Sequence, residues 1–400
     1  MWFSHPPDLN YKKAKIRQTY YGCNQLHDLS HVISEILEVN LFMRFPVIFV
    51  ILFFLSSCRK DKTTAFVTSE EWGPYNPERY FFPNAFSNFP SVSEPEWNKT
   101  TIEGVALGRK LYYDPILSTN GKSCSTCHLQ TLGFSSPVLG PNGMSIPAHV
   151  NMGWNSNFGW TGSESTLDSV ALADLAEGNI FLNANNDSIL KRLERHDEYQ
   201  KLFWQAFGVE IVNESLAERQ KYISYALAQF MRTQISYNSK FDRYLRGEGT
   251  LTADEYDGFA IFMSEDKGDC FHCHGGAANP MWRDNLRHNN GLNSTFSSND
   301  LGYFNVTGNA YDIGKFRTPT LRNIELTGPY MHDGRFNTLE EVVDFYSTGL
   351  QHSSTIDPLM KKVNDGGVQL NPADKARLVA FLKTLTDYTF ISNVELSNPN

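Results

Sequence analysis

Two stretches of the chain share one order of residue types: Cys124-Ser125-Thr126-Cys127-His128 and Cys270-Phe271-His272-Cys273-His274. Two thiols three positions apart can each bond to a vinyl group of one porphyrin, while the histidine that follows turns beneath the ring as proximal iron ligand. The pattern predicts two covalently bound haem c groups, attached through Cys124, Cys127, Cys270 and Cys273, with His128 and His274 on the irons. A structural zinc site would bring two Cys-x-x-Cys pairs within about 15 to 20 residues of each other. These pairs are much farther apart, and a dithiol redox pair has no need of a histidine directly after its second cysteine.

The elements that must position these motifs can be read from apolar spacing. The run from Glu103 to Leu111 has helical periodicity and leads through the turn Leu117-Ser118-Thr119-Asn120-Gly121 into the first motif. Ser188 to Phe207 and Leu216 to Tyr237 predict long amphipathic helices. Thr252-Ala253-Asp254-Glu255 predicts a capped helix start running through Phe259 and Phe262 towards Cys270. Asn285 to Asn309 predicts loop, and Thr338 to Thr348 and Pro372 to Leu385 predict two closing helices. Strand-like alternation is sparse. The expected fold is mostly α, with two cytochrome c-like haem domains packed across an interface, residues 98–247 and 248–392, and a boundary near Gly247-Glu248-Gly249.

The N-terminal region reads differently. Met43-Arg44, the apolar run from Phe45 to Leu55 and Ser56-Ser57 form a signal-peptide pattern before Cys58. That run is too short for a membrane-crossing helix, which takes roughly 20 residues. Leu55-Ser56-Ser57-Cys58 resembles a bacterial lipobox, which implies a signal peptide over 43–57 and a lipid anchor at Cys58. Residues 1–42 then read as an upstream extension in which Cys23 has no role, and 58–97 as a tether and extended arm. Attached haem and a lipid anchor together place the expected protein in the periplasm of a bacterium. With 35 basic and 44 acidic residues and a net charge of −9, neither nucleic acid nor a polybasic membrane contact is expected.

Residues around the motifs resemble the bacterial di-haem cytochrome c peroxidase family, which includes the MauG-type enzymes. The resemblance rests on Leu107-Gly108-Arg109-Lys110-Leu111-Tyr112, Phe158-Gly159-Trp160-Thr161-Gly162, Phe241-Asp242-Arg243-Tyr244-Leu245, Arg317-Thr318-Pro319-Thr320-Leu321-Arg322-Asn323-Ile324 and Gly328-Pro329-Tyr330-Met331-His332-Asp333-Gly334-Arg335. It implies that peroxide reacts at the His128 haem, that electrons enter at the His274 haem, and that Trp160 lies between them. Thr161 and Ser163 stand where the family has Asp and Arg, so any contacts of those two side chains differ here.

The same resemblance implies further roles. Glu177 is the distal acid–base residue, with Asp174 as the fallback. Arg322 pairs with a haem propionate, and a shared calcium ion takes oxygens from Thr327 and Pro329, with Ser145 standing where the family has asparagine. Family peroxidases place a methionine opposite the second proximal histidine, whereas MauG-type enzymes place a tyrosine there. Val342-Val343-Asp344-Phe345-Tyr346 offers Tyr346, with Met360 and His352 as alternatives. A phenolate ligand favours ferric iron and lowers the potential. His149, His196 and His288 have no assigned task and read as surface or packing residues.

The expected function is reduction of hydrogen peroxide to water with electrons from a small periplasmic cytochrome or cupredoxin. A MauG-type oxidant of a partner protein and a non-enzymatic di-haem electron carrier are the alternatives. A homodimer is compatible with either enzyme.

Overall fold

The computed structural model describes residues 69–82, 89–176 and 191–399. The signal-like segment, Cys23, Cys58 and Glu177 lie outside the described residues. The main helices are α1 (Ile102–Tyr113), α2 (Cys124–Cys127), α3 (Leu167–Ala176), α4 (Asp197–Phe207), α5 (Leu216–Arg232), α6 (Lys240–Leu245), α7 (Ala253–Phe262), α8 (Phe271–His274), α9 (Leu339–Thr348) and α10 (Pro372–Lys383). The one two-stranded sheet among the described residues pairs β1 (Arg287–His288) with β2 (Phe316–Arg317) in antiparallel register, Arg287 opposite Arg317. No helix among them is long and apolar enough to cross a membrane.

Two large apolar cores form among the described residues, with a smaller cluster of Leu292, Phe345 and Leu350 beside them. The first gathers Leu107, Leu111 and Tyr112 from α1, Phe203 from α4 and Ile223, Leu227 and Phe230 from α5. The second gathers Phe241, Phe262, Trp282, Val343, Leu378 and Phe381. The chain end returns to the first core, where Phe390 and Leu396 are buried. Asp387 ties this return to the segment joining α5 to α6, because its Oδ2 accepts the backbone N–H groups of Tyr237 and Asn238, each at 2.8 Å.

One helix crossing occurs in both halves. In the first, α1 packs on α5, and a Cβ on Gly108 would lie 1.9 Å from Ala226 O and 2.9 Å from Phe230 Cβ. In the second, α7 packs on α10, and a Cβ on Gly258 would lie 1.9 Å from Arg377 O and 2.9 Å from Phe381 Cβ. Backbone contact this close admits only glycine, and each crossing sits just upstream of a Cys-x-x-Cys-His motif. Gly108→Ala and Gly258→Ala should each destabilise the protein by at least about 1–3 kcal/mol, the usual range for overpacking, measured by equilibrium urea unfolding.

The predicted helices recur with shifted ends. Thr252 and Thr338 cap α7 and α9 through capping boxes with Glu255 and Glu341. α5 stops at Arg232 instead of continuing to Tyr237. The single helix expected over 188–207 is interrupted in its described part by a turn at 194–195, with His196 as the N-cap residue of α4. Two contacts across the turn oppose continuation: Gln200 Nε2 donates to Glu194 O at 3.0 Å, and Arg219 pairs with the Glu194 carboxylate.

Candidate functional site

Both motif histidines are held the same way. His128 Nδ1 is 2.9 Å from Phe134 O, and His274 Nδ1 is 3.3 Å from Trp282 O. A carbonyl oxygen only accepts, so Nδ1 carries the proton and Nε2 presents the lone pair. Both carbonyls belong to buried aromatic residues in the left-handed backbone region, Phe134 at φ 57° and Trp282 at φ 51°. Bulky residues seldom adopt that conformation, so the surrounding core must hold it. Burial pushes each imidazole down to about 4, partly offset by the backbone bond, which keeps both rings neutral near pH 7. A neutral imidazole with Nε2 bare is the form that binds iron.

A cavity lined by Cys270, Cys273 and His274 extends to Trp160, Tyr346 and Met360 and reaches Ser145 to Ala148 of the first half. Arg283 and Arg317 also line it and are buried, at 2% and 7% exposure. Neither has a carboxylate partner among the described residues. Arg283 donates to Asn285 Oδ1 and Asn151 O, and Arg317 to Gly159 O and Thr318 O. Burial, together with neighbouring guanidinium charge, pushes them down to about 9 and about 10. Unpaired buried cations are costly, and an anionic group in the cavity would relieve them. Two attachment thiols, a neutral imidazole and two buried cations without counter-ions fit a haem with its propionates.

The sequence assigned the propionate to Arg322, and the structure directs that side chain elsewhere. Arg322 is buried and grips Asp242 with both terminal nitrogens at 2.8 Å, while its Nε donates to Pro280 O. It does not line the cavity; the arginines that do are Arg283 and Arg317.

Trp160 occupies the cavity wall and is fixed from both halves. Its Nε1 donates to Ser145 O at 2.7 Å, and its carbonyl accepts the Arg317 N–H at 2.8 Å. Arg287 donates to Thr161 O and Gly162 O, and Arg317 to Gly159 O. The loop is therefore clamped through its carbonyls by two arginines, with no need of side chains at 161 and 163. Ser145, Thr327 and Pro329 line the same cavity, and Ser145 Oγ donates to Met331 O at 2.6 Å.

Among the three candidates for the position opposite His274, Tyr346 and Met360 line the cavity, whereas His352 is exposed and does not. Tyr346 sits on α9, and its hydroxyl accepts from Asn290 Nδ2 at 2.9 Å. Burial pushes the phenol up, and the Asn290 bond works against that shift. The fallback acid Asp174 lies in α3.

Two histidines read from sequence as surface or packing residues hold specific partners. His288 is clamped between Asp284 and Asp357 at 2.7 and 2.6 Å. Burial opposes its charge, but the two carboxylates and Cys273 push it up to about 12. His149 is buried against the ring of His128. Asp284 lies four residues before His288, a spacing the sequence offers, whereas Asp357 and, for His149, His128 come from distant segments that give no local signal.

The family model for di-haem cytochrome c peroxidase matches residues 102–250. The methylamine utilization protein MauG of Methylorubrum extorquens is 35% identical over 311 residues, 74% of this chain and 81% of that protein. The cytochrome c551 peroxidase of Nitrosomonas europaea is 30% identical over 295 residues, 70% of this chain and 79% of that protein. A solved MauG-like protein associated with microbial copper homeostasis superposes with a TM-score of 0.72 at 32% identity, covering 80% of this chain and 99% of that one. With two pinned histidines, a cavity suited to haem and relatives of this extent, the chain belongs to the family of di-haem cytochrome c peroxidases and MauG-type enzymes.

Proposed function

We propose that the protein is a periplasmic, lipid-anchored di-haem peroxidase that reduces hydrogen peroxide to water at the His128 centre. Electrons come by way of Trp160 from the His274 centre, which draws them from a small cytochrome or cupredoxin. The observation that carries the reading is Trp160 in the wall of the His274 cavity, fixed to Ser145 of the first half and Arg317 of the second. Bound haem supplies the redox chemistry that breaks the peroxide bond.

The chain's own residues do the rest. Phe134 O and Trp282 O hold the two imidazoles with Nε2 directed to a ligand. Arg283 and Arg317 offer charge to propionates, and Asn290 holds the Tyr346 hydroxyl. Glu177 is the proposed proton carrier, with Asp174 as the alternative candidate for that role. A calcium ion beside Thr327, Pro329 and Ser145 belongs to the same reading.

Tyr346 favours a second reading, a MauG-type oxidant that takes its electrons from side chains of a partner protein. Stopped-flow mixing of the di-haem protein with peroxide separates the readings. Rapid oxidation of an added reduced cytochrome or cupredoxin supports the peroxidase. Peroxide consumption without donor oxidation, accompanied by a mass change in a co-purified protein, supports the MauG-type oxidant. Failure to consume peroxide leaves the electron carrier.

Trp160→Phe should keep both haems and slow donor oxidation at least about tenfold, which corresponds to roughly 1.4 kcal/mol of barrier. The check is the donor oxidation rate together with an unchanged haem content.

A further inference from the structure

The segment that carries Met360 is fastened along β1 and the residues just after it. The Gln351 N–H donates to Gly291 O at 2.8 Å, and the Asp357 N–H donates to Asn289 O at 3.1 Å. Asn289 is buried, and its Nδ2 donates to Ser353 Oγ at 3.0 Å and Thr355 Oγ1 at 2.9 Å. Asp357 is the last of these ties before Met360. Its Oδ2 accepts from His288 Nδ1 at 2.6 Å, its Oδ1 accepts the Leu359 N–H at 2.9 Å, and its carbonyl accepts the Met360 N–H at 2.9 Å. One residue thus shapes the turn that presents Met360 and pins that turn to β1.

A turn of this kind can be shaped by backbone bonds alone. What the Asp357 carboxylate adds is a charged bond to a ring that is itself fixed, because His288 Nε2 donates to Asp284 Oδ2 at 2.7 Å. The His288 and Asp357 side chains are 11% and 14% exposed, so water screens the pair little. The need for such a tie lies in the cavity. Tyr346 and Met360 both line it, and both pack against the cluster of Leu292, Phe345 and Leu350. Only one of them can take the position opposite His274. Tyr346 belongs to α9, where helix bonds fix its backbone, whereas Met360 belongs to an irregular segment and carries an unbranched, flexible thioether. The reach of that thioether is therefore set by what holds the segment.

We propose that Asp357, bonded to a His288 ring that Asp284 orients, is a positioning residue that selects the ligand of the His274 centre: it holds Met360 back and leaves the position to Tyr346. The selection rests on Tyr346 as ligand in the reading above. Release of the tie lets Met360 compete. The exchange breaks the bond from phenolate oxygen to iron, forms one from thioether sulfur to iron and leaves the phenolate to take a proton from water, with no electron gained or lost. A neutral thioether then replaces an anionic oxygen, so the centre becomes easier to reduce. Loss of a charged hydrogen bond between fixed partners shifts such a balance by about tenfold or more.

The test compares the ferric di-haem protein with its Asp357→Ala variant. Resonance Raman reads the phenolate-to-iron signature, and visible absorption reads the charge-transfer band of a thioether sulfur on ferric haem. In Asp357→Ala the phenolate signature should fall at least about tenfold, the sulfur band should appear, and the potential of the His274 centre should rise. Adding Met360→Leu to Asp357→Ala should abolish the band. Haem content and thermal melting control for folding. If Asp357→Ala holds both haems and keeps the phenolate signature at full strength, whatever its melting temperature, or if the band survives Met360→Leu, the proposal is overturned while Tyr346 stands as ligand of the wild type. If Asp357→Ala does not fold, His288→Ala, which removes the same bond from the other side, is read in the same way and decides the matter. If the wild type itself shows the sulfur band and no phenolate signature, Tyr346 is not the ligand and the proposal falls with that reading.

Discussion

Arg322→Met should cost about 3–5 kcal/mol of stability, because it leaves the Asp242 carboxylate buried without its counter-charge. The pair is made with both terminal guanidinium nitrogens, and Asp242 also accepts from the backbone N–H and hydroxyl of Ser239, closing the capping box of α6. Burial alone pushes the Asp242 carboxyl up; the Arg322 fork and Ser239 override it, and the net position is below the usual range. A carboxyl with a depressed folded pKa contributes stability that is present above the unfolded value of about 3.9. That contribution is lost as pH falls through the folded value.

In Arg322→Met the sign reverses. Asp242 then has a raised folded pKa, so lowering the pH protonates it in the folded state first and recovers part of the lost stability. Urea unfolding at a series of pH values, followed by far-UV circular dichroism, reads both the size and the slope. Arg322→Met combined with Asp242→Asn should lose less than Arg322→Met alone, since the neutral amide keeps an oxygen for Ser239 and no charge is stranded. Equal stability of wild type and Arg322→Met would mean that the pair contributes nothing.

Arg322 also shows where the sequence stops being legible. The haem motifs, the helix leading into each and the capping boxes of α7 and α9 are local, and a chain segment of a few residues specifies them. Partner choice is not local. Arg322 meets an aspartate 80 residues away, and nothing near it in the chain ranks that carboxylate above a propionate. Arg283 and Arg317 carry no sign of this role in the sequence, because an arginine is informative only when buried without a counter-ion, which depends on the packing of both halves. The helix expected to run to Phe207 has suitable periodicity, but Gln200 and Arg219 contact Glu194 across the turn at 194–195 and hold it open. His149 has no periodic signature at all. Its position follows from the segment after Phe134, whose carbonyl accepts both His128 Nδ1 and the His149 backbone N–H.

Tyr346→Met should raise the reduction potential of the His274 centre by on the order of 0.1 V, a modest part of the roughly 0.8 V over which axial ligation tunes haem. The physical reason is ligand chemistry. A phenolate stabilises the ferric charge, whereas a thioether does not and favours the reduced state. The cavity contains both kinds of donor, Tyr346 on α9 and Met360 in the following segment, so the structure poses the choice without requiring new contacts. Asn290 bears on the outcome because its Nδ2 donates to the phenol oxygen. That hydrogen bond favours the ionised phenol and opposes the upward push of burial.

Three measurements on the ferric and reduced protein decide it. A potentiometric titration gives the potential, resonance Raman reads a phenolate-to-iron signature, and EPR reports the spin state at each centre. All three should change in Tyr346→Met and stay unchanged in Met360→Leu. The reverse pattern would make Met360 the ligand and remove the main reason for the MauG-type reading, returning the second centre to the methionine ligation of the peroxidases. Stability should shift by only about 1 kcal/mol in either variant, the net contribution of one hydrogen bond or a volume-conserving exchange. A large loss of folding would therefore indicate that the side chain packs more than it ligates. Asn290→Leu adds an independent arm: if the phenol oxygen binds iron, loss of its hydrogen-bond donor should lower the potential further, because more negative charge stays on the oxygen.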